Sequence, residues 1–298
     1  MKYQVKVNEK TRLDQYLTTI LEESRSEVTR RIKSDCVLVN GRVAKASLLL
    51  KDDDVIELLD YEKPVMDVVP TKMDLDILYE DRYLMVINKP SGLTVHPGAG
   101  NYDQTLVNGL MYYTKDLSDV SGDNRLGIVH RIDKDTSGLI CVAKNDAAHN
   151  FLAEQLKNHT MSRTYVALVR GVIKENHGTI NMPIGRDSRN RQKMAVTRNN
   201  SKEAITNFDV LQRFSNNTLV QCKLVTGRTH QIRVHLSYIG FPVEGDPLYG
   251  GRNYKKLYDG GQLLTAVKLR LIHPRSKKEM EFETKLPDYF QNIIDNLE

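Results

Sequence analysis

The stretch Gly127-Ile-Val-His-Arg-Ile-Asp-Lys-Asp-Thr-Ser-Gly-Leu-Ile140 places a group of charged residues between two apolar runs. The charges are concentrated between His130 and Asp135, and the second apolar run extends from Leu139 to Ala143. Small and polar residues separate the charges from that second run. The pattern predicts a buried strand, a polar loop and a second buried strand.

Arg131, Asp133 and Asp135 are among the charges that this loop sets beside the predicted strands. Charged groups next to a protein core cost stability unless they are paired or serve a function. A solvated hairpin loop is the simpler interpretation of a charged segment, but apolar runs border this segment on both sides. We therefore regard the loop as a candidate functional site.

The composition of the 298-residue chain is that of a globular protein, with 40% hydrophobic and 27% charged residues. The net charge of +5 allows a polyanionic partner without requiring one. Three cysteines without CxxC spacing and eight histidines without a paired spacing predict that the protein has no metal site. No apolar run is long enough to span a membrane and the first residues contain no apolar signal segment, which predicts a cytoplasmic protein.

The first 60 residues predict two short helices, a hairpin and a strand. Thr11–Asp14 and Ser24–Glu27 each have the spacing of a capping box, which opens a helix. Asn40-Gly41 lies between short apolar runs and is a strong hairpin signal. Residues 1–60 contain eleven basic and eleven acidic residues, so any basic surface must be local. Such a surface is predicted on the second helix, formed by Arg25, Arg30, Arg31 and Lys33.

Residues 61–75 contain two prolines among polar residues, which predicts a linker. A larger domain is predicted to follow, from residue 76 to residue 298. Within it, the pattern favours helices from Thr105 to Tyr113 and from Asp146 to Lys157. Met161–Gly171 alternates as a strand does and contains Tyr165.

Two segments of this larger domain are suited to binding anions. Six basic residues and a single acid lie between Gly185 and Lys202, among Gly, Asn and Ser residues, which predicts a mobile basic loop or hairpin that contacts phosphate. Farther along the chain, a strand is predicted to end at Thr226-Gly227 and a helix to run from Thr229 to Leu236. The free N–H groups at such a helix start, with arginines nearby, suit an anion or a carboxylate.

The charged loop resembles the signature of a known enzyme family. His130-Arg-Ile-Asp-Lys-Asp-Thr-Ser-Gly138 is similar to the pattern H-R-[LI]-D-x-x-[TS]-[ST]-G of the RluA family of pseudouridine synthases. Residues 78–97 and 224–236 also resemble family phrases, as does the strand that contains Tyr165. Two positions depart from the family pattern: Arg163 stands where lysine is usual, and Thr265 stands where histidine is common.

The N-terminal residues resemble the S4 RNA-binding module, through Arg12-Leu-Asp-Gln-Tyr-Leu17 and Ser24-Arg-Ser-Glu-Val28. The resemblance therefore covers nearly the whole chain and indicates the RluD-like branch of the family. It implies an α+β fold in which a small S4 domain of the αL type, residues 1–60, is joined by the linker 61–75 to a catalytic domain, residues 76–298. The catalytic domain is expected to be built on a mixed, mostly antiparallel sheet.

The resemblance implies an isomerase that converts specific uridines to pseudouridine in structured RNA. Large-subunit (23S) ribosomal RNA, or the assembling large subunit, is the expected substrate. The bond between C1′ and N1 breaks, the uracil turns, and C1′ is joined to C5. Nothing is oxidised, so no cofactor is expected. The sequence does not determine which uridines are modified or the oligomeric state, for which a monomer is the working expectation.

Three catalytic residues follow from the resemblance. Asp133 is expected to attack C1′ or to remove a proton from C2′, and both routes stay open. Arg233 is expected to hold Asp133 ionised through a bidentate pair, and Tyr165 to stack on the base near C5. Arg131 is expected to fill the gap that the displaced uridine leaves. The full set of expected RNA contacts is Arg25, Arg30, Arg31, Arg131, Arg186, Arg191, Lys193, Lys202 and Arg228.

Two other functions fit parts of the sequence. Asp133-Lys-Asp-Thr-Ser137 is close to D-x-D-x-T, the signature of haloacid-dehalogenase-like phosphoryl-transfer enzymes, with serine at the last position; that motif should end an apolar strand, and His130-Arg131 intervene here. The other alternative is a non-catalytic S4 protein that only binds RNA or the ribosome. Binding alone gives no reason for the set Asp133, Tyr165 and Arg233, which argues against it.

Overall fold

The computed structural model of the chain describes residues 1–7, 10–21, 23, 25–61, 68–98, 103–122, 125–251 and 257–298, with the side chains of residues 25–27 excepted. The chain divides into two compact units, Met1–Met66 and Asp67–Glu298. Each unit has a hydrophobic core of its own.

The N-terminal unit packs two helices against small antiparallel sheets. Its elements are β1 (Lys2–Gln4), β2 (Thr11–Arg12), α1 (Leu13–Leu21), α2 (Arg25–Lys33), β3 (Val37–Val39), β4 (Arg42–Val43), β5 (Leu49–Leu50) and β6 (Val55–Leu58). One sheet has the order β1-β6-β3-β4, and β2 pairs with β5. Leu13 and Leu17 of α1, and Val28 and Ile32 of α2, are buried in the core. Because each pair is four residues apart, it lies on one face of its helix.

The predicted hairpin at Asn40-Gly41 is confirmed between β3 and β4. Asn40 and Gly41 both have positive φ angles, 51° and 76°. A two-residue hairpin turn of type I′ requires positive φ at both positions, which asparagine and glycine tolerate best. The turn chemistry of two residues was therefore enough to predict this element.

The capping box predicted at Thr11 is wrong. Thr11 and Arg12 form a short ladder with Leu50 and Leu49, and α1 begins only at Leu13. Pairing with β5 uses the backbone of the residues that the spacing assigned to the cap, so a long-range contact overrides the local pattern. Ser24, the cap predicted for the second helix, lies outside the described residues.

The second unit is built on one large sheet. Its elements are β7 (Ile77–Glu80), β8 (Leu84–Lys89), α3 (Leu106–Tyr113), β9 (Ser137–Ala143), α4 (Asp146–Lys157), β10 (Ser162–Arg170), β11 (His177–Asn181), β12 (Ile184–Arg186), β13 (Met194–Val196), β14 (Ser201–Lys202), β15 (Ile205–Arg213), β16 (Asn217–Leu224), α5 (Gln231–Tyr238), β17 (Leu264–Ile272), β18 (Glu279–Glu283) and α6 (Asp288–Asp295). The order of the large sheet is β11-β15-β16-β10-β17-β9-β8-β7, with β18 also paired to β17. Of the described pairs in this sheet, β17–β9 is the parallel one, which confirms the predicted α+β fold with a mixed, mostly antiparallel sheet.

Both faces of the large sheet are covered. In β8, Met85 and Ile87 belong to one core cluster and Leu84 and Val86 to another, as expected when alternate side chains point to opposite faces. α4 covers one face with buried Ala148 and Leu152, and α5 inserts Ile232 and Leu236 into the cluster on the other face. All seven residues of β9 are buried, so the charged loop before it adjoins the centre of the domain.

The first of the two strands predicted around the charged loop is wrong. Residues 127–132 form one isolated bridge, between Ile128 and Val142, and no strand. Ile128 and Ile132 are apolar because they enter the core from an irregular segment. The second predicted strand is confirmed as β9. Gly138 lies in it with φ 105°, and a Cβ there would fall 2.2 Å from the carbonyl oxygen of Ala266, so only glycine allows β17 to approach this closely.

The other predicted elements are present with shifted ends. The helices from Thr105 and Asp146 and the strand around Tyr165 are confirmed as α3, α4 and β10. α5 begins at Gln231, two residues after the predicted start. The basic segment forms a three-stranded sheet from β12, β13 and β14. In the predicted linker, residues 62–67 lie outside the description, and Val68 is buried in the core of the second unit.

None of the helices that the structure describes is long and apolar enough to cross a membrane.

Candidate active site

Asp133 lies in a tight turn immediately before β9. The Thr136 N–H donates to the Asp133 carbonyl at 3.2 Å, which closes the turn. Lys89, at the end of the neighbouring β8, donates from Nζ to the carbonyls of Lys134, Pro90 and Leu93 at 2.9, 2.7 and 2.8 Å. Burial lowers the pKa of Lys89 to about 7, although the charges of Asp135 and Asp133 oppose this effect. These hydrogen bonds thus fix the backbone of the loop and leave its side chains available for other contacts.

Arg233, on the first turn of α5, contacts Asp133 directly. Its Nη1 donates to Asp133 Oδ2 at 2.8 Å. The predicted bidentate pair with Asp133 is wrong, because the guanidinium forms that pair with Asp246, through Nε to Oδ2 at 2.7 Å and Nη2 to Oδ1 at 2.9 Å. Asp246 therefore holds the Arg233 guanidinium through two hydrogen bonds, and an N–H group of Nη1 donates to Asp133.

This triad of charges sits at the edge of the interior. The side chains of Asp246, Arg233 and Asp133 are 0%, 4% and 18% exposed, so exposure increases toward Asp133. Burial by itself would lower the pKa of Arg233, but its hydrogen bonds to Asp246 and the charges of both carboxylates outweigh burial and raise that pKa. Arg233 thus stays charged, and it fixes the position of a carboxylate that is still accessible.

The cavity beside Asp133, which we name the Asp133 pocket, has a volume of about 130 Å³. Its walls include the buried Tyr165 and Arg163 of β10, together with Ile232 and Leu264. Burial raises the pKa of Tyr165, against the opposing charge of Arg163, so the phenol is protonated at neutral pH. An aromatic ring, apolar side chains and a carboxylate together form a site suited to a planar polar ring attached to a sugar.

His230 and Tyr249 form a second layer around Asp133. His230 Nε2 is 3.9 Å from Asp133 Oδ1, and His230 Nδ1 lies 2.9 Å from the Tyr249 hydroxyl, which also accepts the Met194 N–H at 2.9 Å. Burial lowers the pKa of His230 and raises the pKa of Tyr249 to about 12, so both are neutral near pH 7. His230 has a left-handed backbone conformation, φ 57°, just before α5. This turn explains why α5 starts later than predicted.

Arg131 also lines the Asp133 pocket, and its side chain is exposed. Its Nη1 lies 3.1 Å from His96 Nε2, and burial is the main cause that lowers the pKa of His96. The adjacent His130 points into the core instead, where its Nε2 accepts the Cys141 N–H at 3.0 Å. Burial lowers the pKa of His130 to about 3, so it is a neutral structural residue.

Asp135 and Thr265 have structural surroundings. The Asp135 carboxylate accepts no hydrogen bond from any described residue, and its Cβ packs against Gly261. Thr265, at the position where the family commonly has histidine, is buried and lies with Oγ1 2.8 Å from Ser137 Oγ. In this chain the position therefore joins β17 to β9.

A second groove shares residues 227–229 with the Asp133 pocket. We name it the basic groove; it is lined by Arg186, Lys202, Arg228 and Asn200 among others. Ile184 and Val234 are buried in one small cluster, which anchors the base of the three-stranded sheet on α5. Arg191 is exposed beside Arg186, and Lys193 Nζ lies 5.7 Å from the centroid of the Tyr249 ring. Four of the predicted RNA contacts thus lie in or beside this groove, and Lys193 approaches the layer around Asp133.

In the N-terminal unit, the basic face of α2 is partly neutralised. Arg31 Nη2 pairs with Glu23 Oε1 at 2.7 Å, and its guanidinium lies 4.8 Å from the centroid of the Tyr61 ring. Arg30 is half-buried, and the Arg25 side chain is outside the description. Among the residues that the structure describes, Arg31 is thus already engaged within the protein.

Sequence reasoning missed Asp246, Tyr249 and Lys89. Asp246 lies between Gly245 and Pro247, a context that indicates a turn, and its Oδ1 does accept the N–H groups of Leu248 and Tyr249 at 2.8 and 2.9 Å. A turn aspartate gives no sign that it also holds an arginine 13 residues away. Lys89 could have been found from the sequence, because a lysine at the end of a buried strand needs hydrogen-bond acceptors. No group of three or more His, Cys, Asp and Glu suited to a metal occurs among the described residues.

Comparison with known proteins identifies the family. The sequence model of the family described as RNA pseudouridylate synthase matches residues 83–238, and that of the S4 domain matches residues 11–56. An RNA pseudouridine synthase of Bacillus subtilis is 50% identical over 287 residues, which cover 96% of this chain and 94% of the relative. The ribosomal large subunit pseudouridine synthase D of Pseudomonas aeruginosa is 41% identical over 291 residues, covering 94% and 89% of the two chains.

Solved structures agree with this result. Human RNA pseudouridylate synthase domain containing 1 superposes with a TM-score of 0.57 at 29% identity, over 76% of this chain and 86% of the human chain. The D-x-D-x-T alternative does not fit the fold, because Asp133 precedes β9 and follows an irregular segment, whereas that motif requires an aspartate at the end of a strand. The chain belongs to the RNA pseudouridylate synthase family, carries an S4 domain, and is an RNA pseudouridine synthase.

Proposed function

We propose that this enzyme modifies uridines of large-subunit ribosomal RNA and that Asp133 is its catalytic carboxylate. The observation that carries the assignment of Asp133 is its pairing with Arg233 at 2.8 Å on the wall of a pocket that also contains Tyr165. A carboxylate that is fixed by a buried cation yet still accessible is suited to attack or to proton removal.

Asp133 acts at the sugar by one of two routes. It attacks C1′ and forms a covalent bond, or it takes the proton from C2′ and leaves a glycal; in both cases the electron pair of the C1′–N1 bond moves to the uracil. Arg233 and Asp246 orient the carboxylate. Tyr165 stacks on the base, and Arg131, which is exposed beside the pocket, enters the space that the displaced uridine leaves in the RNA.

The RNA is held by two basic surfaces. Lys202, Arg186 and Arg228 contact phosphates in the basic groove, with Arg191 and Lys193 beside them. The S4 domain, which we assign to residues 1–60, contributes through Arg25, Arg30 and Arg31 of α2.

The choice of substrate is supported by relatives whose names specify the large ribosomal subunit. Besides the Pseudomonas aeruginosa enzyme, the enzyme of Zymomonas mobilis with the same name is 40% identical over 295 residues, or 95% of this chain. An enzyme with this substrate works in the cytoplasm, and we propose that location. We propose that it acts as a monomer and without a cofactor, since the isomerisation needs no redox partner.

Mapping pseudouridines tests the proposal. RNA from cells with and without the gene is compared, and RNA lacking the modification is then treated with the purified enzyme as free ribosomal RNA and as assembling particles. We expect specific pseudouridines of large-subunit RNA to disappear in the first experiment and to return in the second. Loss confined to transfer RNA would refute the ribosomal substrate while leaving the activity intact.

A further inference from the structure

Arg163 is a buried cation that has no counterion among the described residues. It is 8% exposed, its Nε is fully buried, and it forms no hydrogen bond or ion pair with any residue that the structure describes. Arg233 is similarly buried but pairs with two carboxylates. A buried charge without a partner costs several kcal/mol of stability, roughly, even after local relaxation. Retaining such a group therefore requires a reason other than the fold.

The guanidinium is held at the wall of the Asp133 pocket. Arg163 and Tyr165 are two residues apart on β10, and both line the pocket. On its other side the guanidinium packs against Gly227: a Cβ at this position would lie 2.8 Å from Nη1 and 3.1 Å from Nη2. The absence of a side chain at Gly227 thus leaves the space that the guanidinium occupies. Arg163 therefore lies beside the expected position of the base.

We propose that Arg163 binds the uracil carbonyl oxygens and stabilises the negative charge that the base acquires when its bond to C1′ breaks. This inference rests on the proposed role of the Asp133 pocket. Burial distinguishes Arg163 from the phosphate contacts, because Arg186 and Lys202 of the basic groove are exposed and remain in contact with solvent. The buried wall next to Tyr165 takes the flat base, while the phosphates stay outside.

The charge balance of the reaction requires such a group in both routes. When Asp133 attacks C1′, the C–O bond forms as the C1′–N1 bond breaks, and the electron pair leaves with the uracil as an anion. When Asp133 instead takes the C2′ proton, a C1′–C2′ double bond forms and the same anion leaves. In the covalent route C5 then bonds to C1′ as the bond between C1′ and the Asp133 oxygen breaks. In the glycal route C5 bonds to C1′ as C2′ takes its proton back from Asp133. In both routes C5 then loses its proton and N1 gains one.

Arg163 acts on the transition state more than on the bound substrate. A neutral uracil presents only carbonyl dipoles, whereas the departing base carries a charge that is spread over N1, O2, C5 and O4. The attraction of a fixed guanidinium therefore grows as the bond breaks, which is the condition for lowering the barrier. No reorganisation is needed, since β10 and Gly227 already fix the guanidinium.

The test compares Arg163→Gln with wild type on a large-subunit RNA transcript made with either uridine or 5-fluorouridine. Fluorine withdraws electrons and stabilises the uracil anion, so cleavage depends less on Arg163. We measure the single-turnover loss of the original nucleoside at saturating enzyme, after digestion and chromatographic separation of the nucleosides, because the isomers have equal masses. We expect a loss of about 10²-fold with uridine, typical for removal of one charge-stabilising group, and a several-fold smaller loss with 5-fluorouridine.

Two further variants test whether the effect is specific to the charge and the position of Arg163. Arg163→Lys should keep part of the rate with uridine, because it retains the charge without the fork. Arg270→Gln, on the adjacent β17, removes an exposed arginine that pairs with Glu281 and should leave both rates unchanged. Thermal melts should show Arg163→Gln to be as stable as wild type or more stable, since it removes an unpaired buried charge.

Equal losses with both nucleosides would overturn the proposal, as would a wild-type rate for Arg163→Gln. A variant that only weakens RNA binding, with an unchanged single-turnover rate at saturation, would assign Arg163 to the phosphate contacts. Failure of wild type to convert uridine in this RNA would instead refute the proposed substrate, and the role of Arg163 would then be tested on the RNA that the enzyme does convert.

Discussion

The Asp133 pocket and the basic groove share residues 227–229, contain the same types of cation, and differ in what surrounds those cations. In the pocket, Arg163 and Arg233 are almost completely buried. In the groove, Arg186 and Lys202 are exposed. Buried charges interact strongly and are little affected by salt, whereas exposed charges are screened within about 8–10 Å at physiological ionic strength. We therefore expect the pocket to determine rate and the groove to determine salt-dependent affinity.

Replacing the two aspartates of the loop is the strongest test of whether the pocket determines the rate. Asp133→Asn keeps the size of the side chain but removes the charge that attack or proton removal requires. We expect pseudouridine formation to fall by about 10⁴-fold or to background, as for removal of an essential nucleophile, with RNA affinity unchanged. The measurement is tritium release from C5-labelled uridine in RNA, with binding measured in parallel.

Asp135→Asn is the matched control, two residues away on the same turn. Because its carboxylate accepts no hydrogen bond from any described residue, we expect measurable turnover and a change in unfolding free energy within about 0.5 kcal/mol. Substantial tritium release by Asp133→Asn, or loss of release by Asp135→Asn alone, would refute the assignment of the catalytic carboxylate.

The second prediction concerns the anchoring of Arg233. Arg233→Ala leaves Asp246 buried without its cation, so we expect a loss of about 3 kcal/mol in stability and a fall of roughly 10²–10³-fold in rate. Arg233→Lys should recover only part of the rate, because a point charge cannot serve two carboxylates as the guanidinium does. Urea unfolding and single-turnover rates provide the two measurements.

Asp246→Asn separates the two roles of Arg233. It retains an acceptor for the Leu248 and Tyr249 N–H groups and leaves the contact between Arg233 and Asp133 possible, so the rate should fall less than in Arg233→Ala. A rate loss equal to that of Arg233→Ala would mean that orientation by Asp246 matters as much as the cation. If either change mainly weakened RNA binding, Arg233 would belong with the groove residues.

The third prediction addresses the groove itself. Lys202→Gln should weaken RNA affinity several-fold and reduce the slope of log affinity against log salt by about 1, as expected for one lost phosphate contact. The rate at saturating enzyme should not change. Arg189→Gln, an exposed arginine of the same segment outside the groove lining, is the control and should leave the slope unaltered. Equal slopes for wild type and Lys202→Gln would exclude a phosphate contact at Lys202.

The last prediction concerns the pH dependence of stability and leaves the rate and the RNA affinity at neutral pH unchanged. Burial lowers the pKa of His130 to about 3 from an ordinary value of 6.5, so the unfolded chain takes up a proton that the folded chain does not. The contribution of neutral His130 to the free energy of unfolding is therefore fully present above about pH 6.5. It decreases as the pH falls toward 3, by about 1.4 kcal/mol per pH unit for one proton. His130→Gln should flatten this dependence in urea unfolding at pH 7, 6, 5 and 4.

His177→Gln, which changes an exposed histidine of β11, is the control for that experiment and should keep the wild-type dependence. An unchanged pH dependence in His130→Gln would show that the acid sensitivity of the fold arises elsewhere. The catalytic rate is not informative in this case, because His130 is oriented toward the backbone of β9 and away from the Asp133 pocket.

The sequence by itself determined those features whose physical cause is local. The turn at Asn40-Gly41 follows from two residues that tolerate positive φ, and α4 follows from its periodicity and the Asn145 cap, whose Oδ1 accepts the Ala148 N–H. The family and the activity were equally accessible, because the loop around Asp133 keeps its residue types at fixed spacing. Where local patterns failed, as at Thr11 and residues 127–132, a partner elsewhere in the chain had determined the conformation.

Only the tertiary structure decided which charges are paired. Asp133 and Arg233 are 100 residues apart in the sequence. No residue spacing indicates which of the two carboxylates forms the bidentate pair with the Arg233 guanidinium. Asp246 forms the bidentate pair because its turn buries it completely, and a buried carboxylate needs two hydrogen bonds from its partner more than an accessible carboxylate does. Among the described residues Arg163 has no counterion, and β10 and Gly227 enclose it on the side of the pocket that we propose to bind the substrate.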